Sequence, residues 1–350
     1  MKKSFYVLTL VAAITLALAA GPAAAFKPIA NESGFGGFVR LGGGISYAKS
    51  NMIAGTDLGD VGQRKINSLT SKPDSETDTV PQFDFNLAYT FASVQTELFL
   101  GTRVEDILRF DGVLQAGVRK QFGDTGIIGA GFVFSAMPTE VWKDPYVVND
   151  GRRRTDRDSM GFRVGWERIL GSGFDFDYTY RKIDIDDEKS GQSQLIPRGV
   201  ITASQADRLD RNGDSHQFRV LYVWRFADRH VFTPGIWAQY EDLDGDAMKN
   251  YTVDFQPTYA YLGTKYELVL NAMLGYSDYD DKNPIYGKTN DATRYGIGAL
   301  GFWKNPFGWQ PTGKDKFRFY VSGGWFTSDT DIDFYRTEIA SATVGVWFGW

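Results

Sequence analysis

The chain has 350 residues, a formal net charge of −5 and no cysteine. The absence of cysteine excludes disulfides and a lipid-anchored N-terminal cysteine. The sequence has no phosphate-binding loop, zinc-ligand spacing or nucleotide fingerprint, and we expect no nucleic-acid partner.

The N-terminal segment has the layout of a secretory signal peptide. It begins with the positive MKK, continues with an uncharged apolar run over 7–20, and ends with the small residues AAA at position 25. We therefore predict a cleaved signal peptide over 1–25 and a single mature domain over 26–350. No later apolar stretch approaches the ~20 residues that a membrane helix needs.

The mature chain alternates between apolar and polar residues with a period of two. In QFDFNLAYTF, residues 82–91, one parity is Phe, Phe, Leu, Tyr and Phe, and the other is Gln, Asp, Asn, Ala and Thr. Side chains of a strand alternate between faces, so this segment is a strand with one apolar face. About 14 such segments occur, and 12 or 16 would also fit. Their spans are 36–49, 79–92, 93–104, 108–122, 126–137, 158–170, 173–183, 214–226, 230–241, 250–262, 264–277, 292–304, 315–327 and 334–350.

The connections between these strands are alternately short and long. Short turns include 122–126 and 171–173, whereas long polar loops cover 50–78, 138–157, 184–213 and 278–291. Aromatic residues make up 15 % of the chain and recur near strand ends, where a membrane barrel has its aromatic girdles. A soluble β-sandwich seldom needs that pattern. We predict an all-β fold, a transmembrane antiparallel up-and-down β-barrel of about 14 strands.

The last strand, SATVGVWFGW, ends on an aromatic residue. Counting back from Trp350, the lipid-facing positions are Phe348, Val346, Val344 and Ala342. This pattern resembles the outer-membrane β-barrel proteins of Gram-negative bacteria, porins among them, without indicating a subfamily. The resemblance implies location in the cell outer membrane and recognition of Phe348 and Trp350 by the barrel-assembly machinery. This strand must pair with the first strand, because lipid tolerates no open sheet edge.

The same alternation assigns charged residues to the inside of the barrel. The candidate channel-lining residues are Arg40, Asp84, Glu97, Arg119, Arg163, Asp175, Asp177, Arg181, Arg219, Arg225, Asp254, Glu267 and Arg318, with Arg103, Asp111 and Glu167 on the same face. Isolated charges in a dry interior are costly, so the lumen either holds water or joins these groups in ion pairs. At about 14 strands we expect water with loops folded partly inward, and a blocked lumen is the alternative.

The long loops are rich in charge. DIDDE at 184–188 and EDLDGD at 241–246 could bind divalent cations, with Asp242, Asp244 and Asp246 as weak metal candidates. Because the ligand spacing of a dedicated calcium site is absent, we favour a solvated hydrophilic rim. The basic run GRRRTDR at 151–157 would suit lipopolysaccharide phosphate or a constriction, and a solubilising loop fits equally well.

The residues available for catalysis are few. Ser215 and His216 follow Asp214, but neighbouring side chains of a regular strand point to opposite faces. We interpret the protein as a passive, weakly cation-favouring channel for small hydrophilic solutes, without a cofactor, in contact with outer-membrane lipid and lipopolysaccharide. The alternative is a non-conducting barrel that binds a surface ligand or partner through its acidic loops. An outer-membrane hydrolase ranks third.

Overall fold

The structure, a computed structural model, describes residues 28–56, 59–106, 111–135, 139–311, 313 and 316–350. The predicted signal peptide, 1–25, lies outside these residues. The described chain forms one closed antiparallel barrel of 14 strands, which confirms the predicted fold class and strand number. Within the described residues, no helix has the length and apolar character needed to cross a bilayer.

The barrel strands follow one another in chain order, and each overlaps its predicted span. They are β1 (Gly34–Lys49), β2 (Ser75–Phe91), β3 (Thr96–Asp106), β4 (Asp111–Gln121), β5 (Ile127–Ser135), β6 (Arg154–Glu167), β7 (Phe174–Ile185), β8 (Gly213–Tyr222 and Trp224–Phe226), β9 (His230–Thr233 and Gly235–Leu243), β10 (Asn250–Phe255 and Thr258–Leu262), β11 (Tyr266–Tyr279), β12 (Ala292–Lys304), β13 (Phe317–Thr330) and β14 (Thr337–Gly349). The long loops add the short strands Ile53–Thr56, Gly59–Asp60 and Thr139–Trp142 and a helical turn, Ala203–Asp207.

The first and last strands close the barrel. β1 pairs with β14 from Phe38, opposite Gly349, to Lys49, opposite Glu338. On its other side β1 pairs with β2, so neither strand leaves an open edge in the lipid. On β14, Val344 points outward and is 61 % exposed, as the alternation predicts.

Two prolines interrupt the hydrogen-bond ladder on one side of the barrel. Pro234 separates the two segments of β9, and Pro257 lies between those of β10. Proline has no N–H to donate, so neighbouring backbone groups form the hydrogen bonds that continue the ladder. The Tyr222 N–H donates to the Pro234 carbonyl at 3.0 Å, and Gly235 and Gln256 exchange hydrogen bonds of 2.8 and 3.2 Å. The strands therefore keep the same register on both sides of the prolines.

The outer face of the barrel is apolar. Ile45, Phe132, Leu274, Ile297 and Val321 are all more than half exposed. A continuous exposed apolar surface of this kind is suited to hydrocarbon rather than water. Exposed aromatic rings lie toward both ends of the strands, among them Phe122, Phe174, Trp224 and Tyr266 beside the short turns and Tyr251 and Tyr276 beside the long loops.

The long loops pack together over one end of the barrel and form what we call the cap. The cap has its own apolar core, which consists of Ile66, Tyr146, Leu195, Ile201, Ala206, Leu209, Ala247, Met248, Ile332, Phe334 and Tyr335, seated on the strand residues Ile183 and Leu243. The loops therefore surround an apolar core, while acidic residues such as Asp184, Asp186 and Asp244 remain exposed at the rim. The loops carry enough apolar side chains to exclude water from their own centre.

Buried polar groups join the loops of the cap to one another. The Asp144 carboxylate accepts hydrogen bonds from the backbone N–H groups of Gly191 at 3.0 Å and Ser193 at 2.9 Å. The Gln194 amide pairs with both the N–H and the carbonyl of Val148, each at 2.9 Å. Irregular backbone is tolerated in a buried position only when its polar groups find such partners.

The basic run at 151–157 belongs to the cap as well. Arg152 is 2 % exposed, lies 4.3 Å from the centre of the Trp142 ring, and donates to the Asn51 carbonyl at 2.8 Å. Arg154 pairs with Asp60 and, at 2.6 Å, with Glu140. Both arginines thus hold loop segments together, whereas Arg153 between them is exposed, and lipopolysaccharide contact stays a prediction.

Candidate functional site

The inner wall of the barrel carries the predicted lining residues, most of them in ion pairs. We call the group around Asp177 the central cluster. Asp177 on β7 contacts Arg219 on β8 and lies 3.6 Å from Arg103 on β3 and 3.7 Å from Arg163 on β6. Arg163 also donates to Gln115 on β4 at 2.6 Å. One carboxylate is therefore shared by arginines from strands on both sides of β7.

A second group of ion pairs lies on the same wall. Arg119 on β4 donates to Glu97 on β3 at 2.7 Å and to Glu167 on β6 at 2.6 Å. The side chains of Arg119, Glu97 and Glu167 are 15, 17 and 23 % exposed, respectively. Two carboxylates share one guanidinium, as Arg geometry allows.

A third group lies across the lumen. Glu267 on β11 contacts Arg318 and, at 2.7 Å, Lys304, while Asp254 on β10 lies 3.1 Å from Arg294. Sequence reasoning missed Arg294 and Lys304, which both lie on β12. Glycines on both faces of β12 blur the alternation, although counting from the outward ring of Tyr295 would have placed Arg294 inside.

Besides Arg40 and Asp84, three predicted lining residues whose side chains the structure describes lie outside these groups. The Asp175 carboxylate accepts a hydrogen bond from the Arg168 backbone N–H at 2.7 Å. Arg181 donates to the Ser159 hydroxyl at 3.1 Å. Arg225 is exposed close to a short turn, in register with the inward-facing Val231.

Arg40 and Asp84 form an ion pair beside the strands that close the barrel, and we call this site the seam. Both side chains are only 1 % exposed. The Tyr320 ring lies 5.2 Å from the Arg40 guanidinium, and its hydroxyl donates to the Gln82 amide oxygen at 2.8 Å. A Cβ on Gly42 would collide with the Tyr320 hydroxyl, so glycine is what allows the tyrosine to cover the pair.

Part of the inner wall is apolar, which sequence reasoning did not anticipate. Val231, Ala260, Val269 and Leu300, on β9 to β12, are buried together against Tyr320. The only signal was that β11 and β12 are apolar at both parities, in ELVLNAML and GIGALGF. The lumen therefore has a charged wall on β3 to β8 and a partly apolar wall on β9 to β13.

Two of the three acidic loop candidates for metal binding form ion pairs with a lysine. Lys249 lies 3.1 Å from Asp242 and 3.3 Å from Asp246, and these hydrogen bonds raise the pKa of the ammonium group. Asp244 is exposed. Among the described residues, no three His, Asp or Glu side chains are grouped so that they could hold a metal ion.

The Ser215 and His216 side chains point to opposite faces of β8. Ser215 is buried on the inner face and accepts a hydrogen bond from Gln239 at 3.1 Å. His216 lies on the outer face, with Nδ1 2.8 Å from the Tyr178 hydroxyl. This dyad therefore cannot act as a serine nucleophile with its histidine base.

At the C-terminus, the two residues predicted to form the assembly signal lie on the closing strand. The Phe348 and Phe317 ring centres are 5.0 Å apart. Trp350 is 43 % exposed, and its backbone N–H donates to the Gly37 carbonyl at 3.3 Å. Recognition by the assembly machinery stays a prediction.

A family described as protein of unknown function matches residues 34–349. No curated protein shows significant sequence similarity to the chain. Solved structures with a similar fold include a FadL homologue from Pseudomonas aeruginosa, 11 % identical, covering 98 % of this chain and 97 % of that chain with a TM-score of 0.44. A deltaS2 mutant of the monoaromatic hydrocarbon channel TodX is 10 % identical, with 90 % of each chain covered and a TM-score of 0.45. The anion-selective porin from Comamonas acidovorans is 8 % identical, with 91 % of this chain and 100 % of that chain covered and a TM-score of 0.36. Similarity this distant carries no argument about solutes.

Proposed function

We propose that this chain, which belongs to the family DUF2860, is an outer-membrane channel through which small hydrophilic solutes diffuse, with a weak preference for cations. Its closed barrel has an apolar outer face with aromatic ends and a charged inner face. Those are the features of channels in the outer membrane of Gram-negative bacteria.

The observation that carries this proposal is the exposure of the inner charges. Arg119 and Glu167 face the lumen, yet 15 and 23 % of their side-chain surface is exposed. In a dry interior such groups would be hidden, as Arg40 and Asp84 are at 1 % each. Solvent-accessible ion pairs along the wall support a lumen that holds water.

The preference for cations follows from the charge at the loop end of the barrel. Acidic residues outnumber basic ones over 184–214, 241–250 and 329–338. Asp184, Asp186 and Asp244 are exposed there. Negative charge at a channel mouth concentrates cations, and salt screens this effect over a Debye length of ~8–10 Å.

Reversal potentials across a salt gradient in planar bilayers test the proposal. We expect a conducting channel with a modest cation preference at low salt that fades as salt rises. Replacing Asp184, Asp186 and Asp244 with Asn should weaken the preference and leave the conductance. Asp187 and Glu188 are kept, because they pair with Lys143 and Arg211 in the cap.

A matched control removes acidic charge from the other end of the barrel. Asp124→Asn with Asp228→Asn should change the preference less, because the short turns also carry Arg168, Arg229 and Lys265. Anion preference of the unmodified protein at low salt would contradict the proposed selectivity and indicate that the lumen arginines control it.

A second candidate function is favoured by the cap. Its apolar core makes the loops an ordered surface, which suits a non-conducting barrel that binds a ligand or partner outside the cell. A folded barrel without conductance in bilayers would favour this alternative over the channel.

A further inference from the structure

A cavity of about 140 Å³ lies between the cap and the lumen. Its wall is built by residues from β6 to β14 and from the loops above them. Ile183, Leu243, Met248 and Tyr335 line the cavity and also belong to the apolar core of the cap. The cap is therefore the roof of this cavity, and the top of the lumen is its floor.

The cavity lining combines apolar and polar side chains. Ile53, Val141, Ile183, Ile185 and Leu243 supply aliphatic surface. Hydroxyl and amide side chains come from β10, β11, β13 and the loop before β12, namely Asn250, Ser277, Asn290, Ser328 and Thr330. An apolar pocket with a few convergent polar groups is the usual form of a small-molecule site.

Three charged residues of the lining already make ion pairs or hydrogen bonds within the protein. Arg211 donates to Glu188 at 2.7 Å, and Arg294 lies 3.1 Å from Asp254. The Glu241 carboxylate accepts a hydrogen bond from Asn250 at 2.9 Å. A charged ligand would have to displace these contacts and lose its own hydration, so an uncharged ligand fits better.

The Asn290 side chain brings a buried hydrogen-bond acceptor to the lining. Asn290 is 3 % exposed, and its side-chain oxygen makes no hydrogen bond to any described residue. An unpaired buried acceptor costs free energy unless something donates to it. A ligand hydroxyl or N–H in the cavity would satisfy it.

We propose that this cavity binds a small uncharged solute with an apolar body about the size of a six-membered ring and one hydrogen-bond donor. An engineered apolar cavity of about 150 Å³ in another protein holds benzene, so the size is adequate. The inference goes beyond the proposed channel, because it adds a binding site for a ring-sized, mostly apolar solute beside a lumen that passes hydrophilic solutes. The site itself does not require conduction.

Calorimetric titration of the detergent-solubilised barrel with phenol, fluorobenzene and benzoate tests the site. The three probes share one ring and differ in donor and charge. We expect phenol to bind most tightly, fluorobenzene more weakly because it has no donor, and benzoate least because of its charge. Benzoate binding as tightly as phenol would overturn the proposed ligand class.

Two variants locate the binding. Ile183→Trp fills the cavity and should abolish phenol binding, whereas Ile45→Trp, on the lipid-facing surface, should leave it unchanged. Asn290→Ala should weaken phenol binding about five- to tenfold and leave fluorobenzene binding unchanged, because only the donor contact is lost. Heat-modifiable migration on gels establishes that each variant is folded.

The failures of the two proposals are distinguishable. Phenol binding that Ile183→Trp abolishes, in a barrel that does not conduct, would retain the site and overturn the channel. Conduction without phenol binding, or binding that Ile183→Trp does not change, would overturn the site. If Ile183→Trp does not fold, Leu243→Phe fills the same space from β9, and persistent binding in it would also overturn the site.

Discussion

The seam and the central cluster are built from the same chemistry but differ in exposure. At the seam, Arg40 and Asp84 are each 1 % exposed and lie beneath Tyr320. In the central cluster, Asp177 is 7 % exposed and the arginines around it are 11 to 17 % exposed. Charges in contact with water lose little when a partner is removed, whereas a dry charge depends on its partner. The seam is therefore a structural site, and the central cluster is suited to contact with solutes.

The largest expected effect is at the seam. Asp84→Ala leaves the Arg40 guanidinium buried without its carboxylate, which should lower the free energy of unfolding by about 3–5 kcal/mol. Urea unfolding in liposomes measures it. Asp84→Asn keeps an acceptor and should cost less. A loss for Asp177→Ala as large as that for Asp84→Ala would contradict the distinction between the two sites.

A second substitution breaks the seam sterically. Gly42→Val places a side chain against the Tyr320 hydroxyl and the Val344 backbone carbonyl, and should destabilise the barrel by about 1–3 kcal/mol through overpacking. Gly43 is the matched control, because a Cβ there would lie an ordinary 3.6 Å from the Val80 carbonyl. Equal unfolding free energies for Gly42→Val and Gly43→Val would show that neither Tyr320 nor the Val344 carbonyl restricts position 42.

The core of the cap is buried, as the seam is, but it consists of aliphatic and aromatic side chains rather than an ion pair. Burial raises the pKa of Tyr146 and of Tyr335, so both phenols stay protonated. Tyr335→Phe removes the oxygen that accepts from Asn283 at 2.7 Å and should loosen the cap by roughly 1 kcal/mol. Limited proteolysis of the loops measures this change. Tyr276→Phe, on the exposed outer face, should leave the cleavage rate unchanged.

The smallest expected effect on stability is in the central cluster. Asp177→Asn keeps an acceptor among arginines that are 11 to 17 % exposed, so it should lower the free energy of unfolding less than Asp84→Ala does. The same change leaves arginines unbalanced in the lumen and should shift the ion preference toward anions. Bilayer reversal potentials measure the shift. An unchanged preference would mean that ions do not pass along this wall.

The local alternation of apolar and polar residues was sufficient to predict the barrel and to assign most side chains of its inner wall. Alternation in segments such as 82–91 predicts which side chains face lipid, because the strand period is two and the two solvents differ sharply. It therefore placed Arg119, Asp177 and Glu267 inside. It failed at Arg294, where small residues on both faces remove the contrast on which the prediction depends.

The sequence by itself determined the strands, their order, the closing pair and the polarity of each face, since all of these follow from periodicity along the chain. Only the tertiary structure decided that Leu195, Ile201 and Phe334 meet in one apolar core, because they come from loops far apart in sequence and have no common period. It likewise decided that the Arg40 and Asp84 side chains are each 1 % exposed, whereas those of the Asp177 group are 7 to 17 % exposed. Burial depends on what lies across the lumen, and no local pattern records which distant side chain covers a charge.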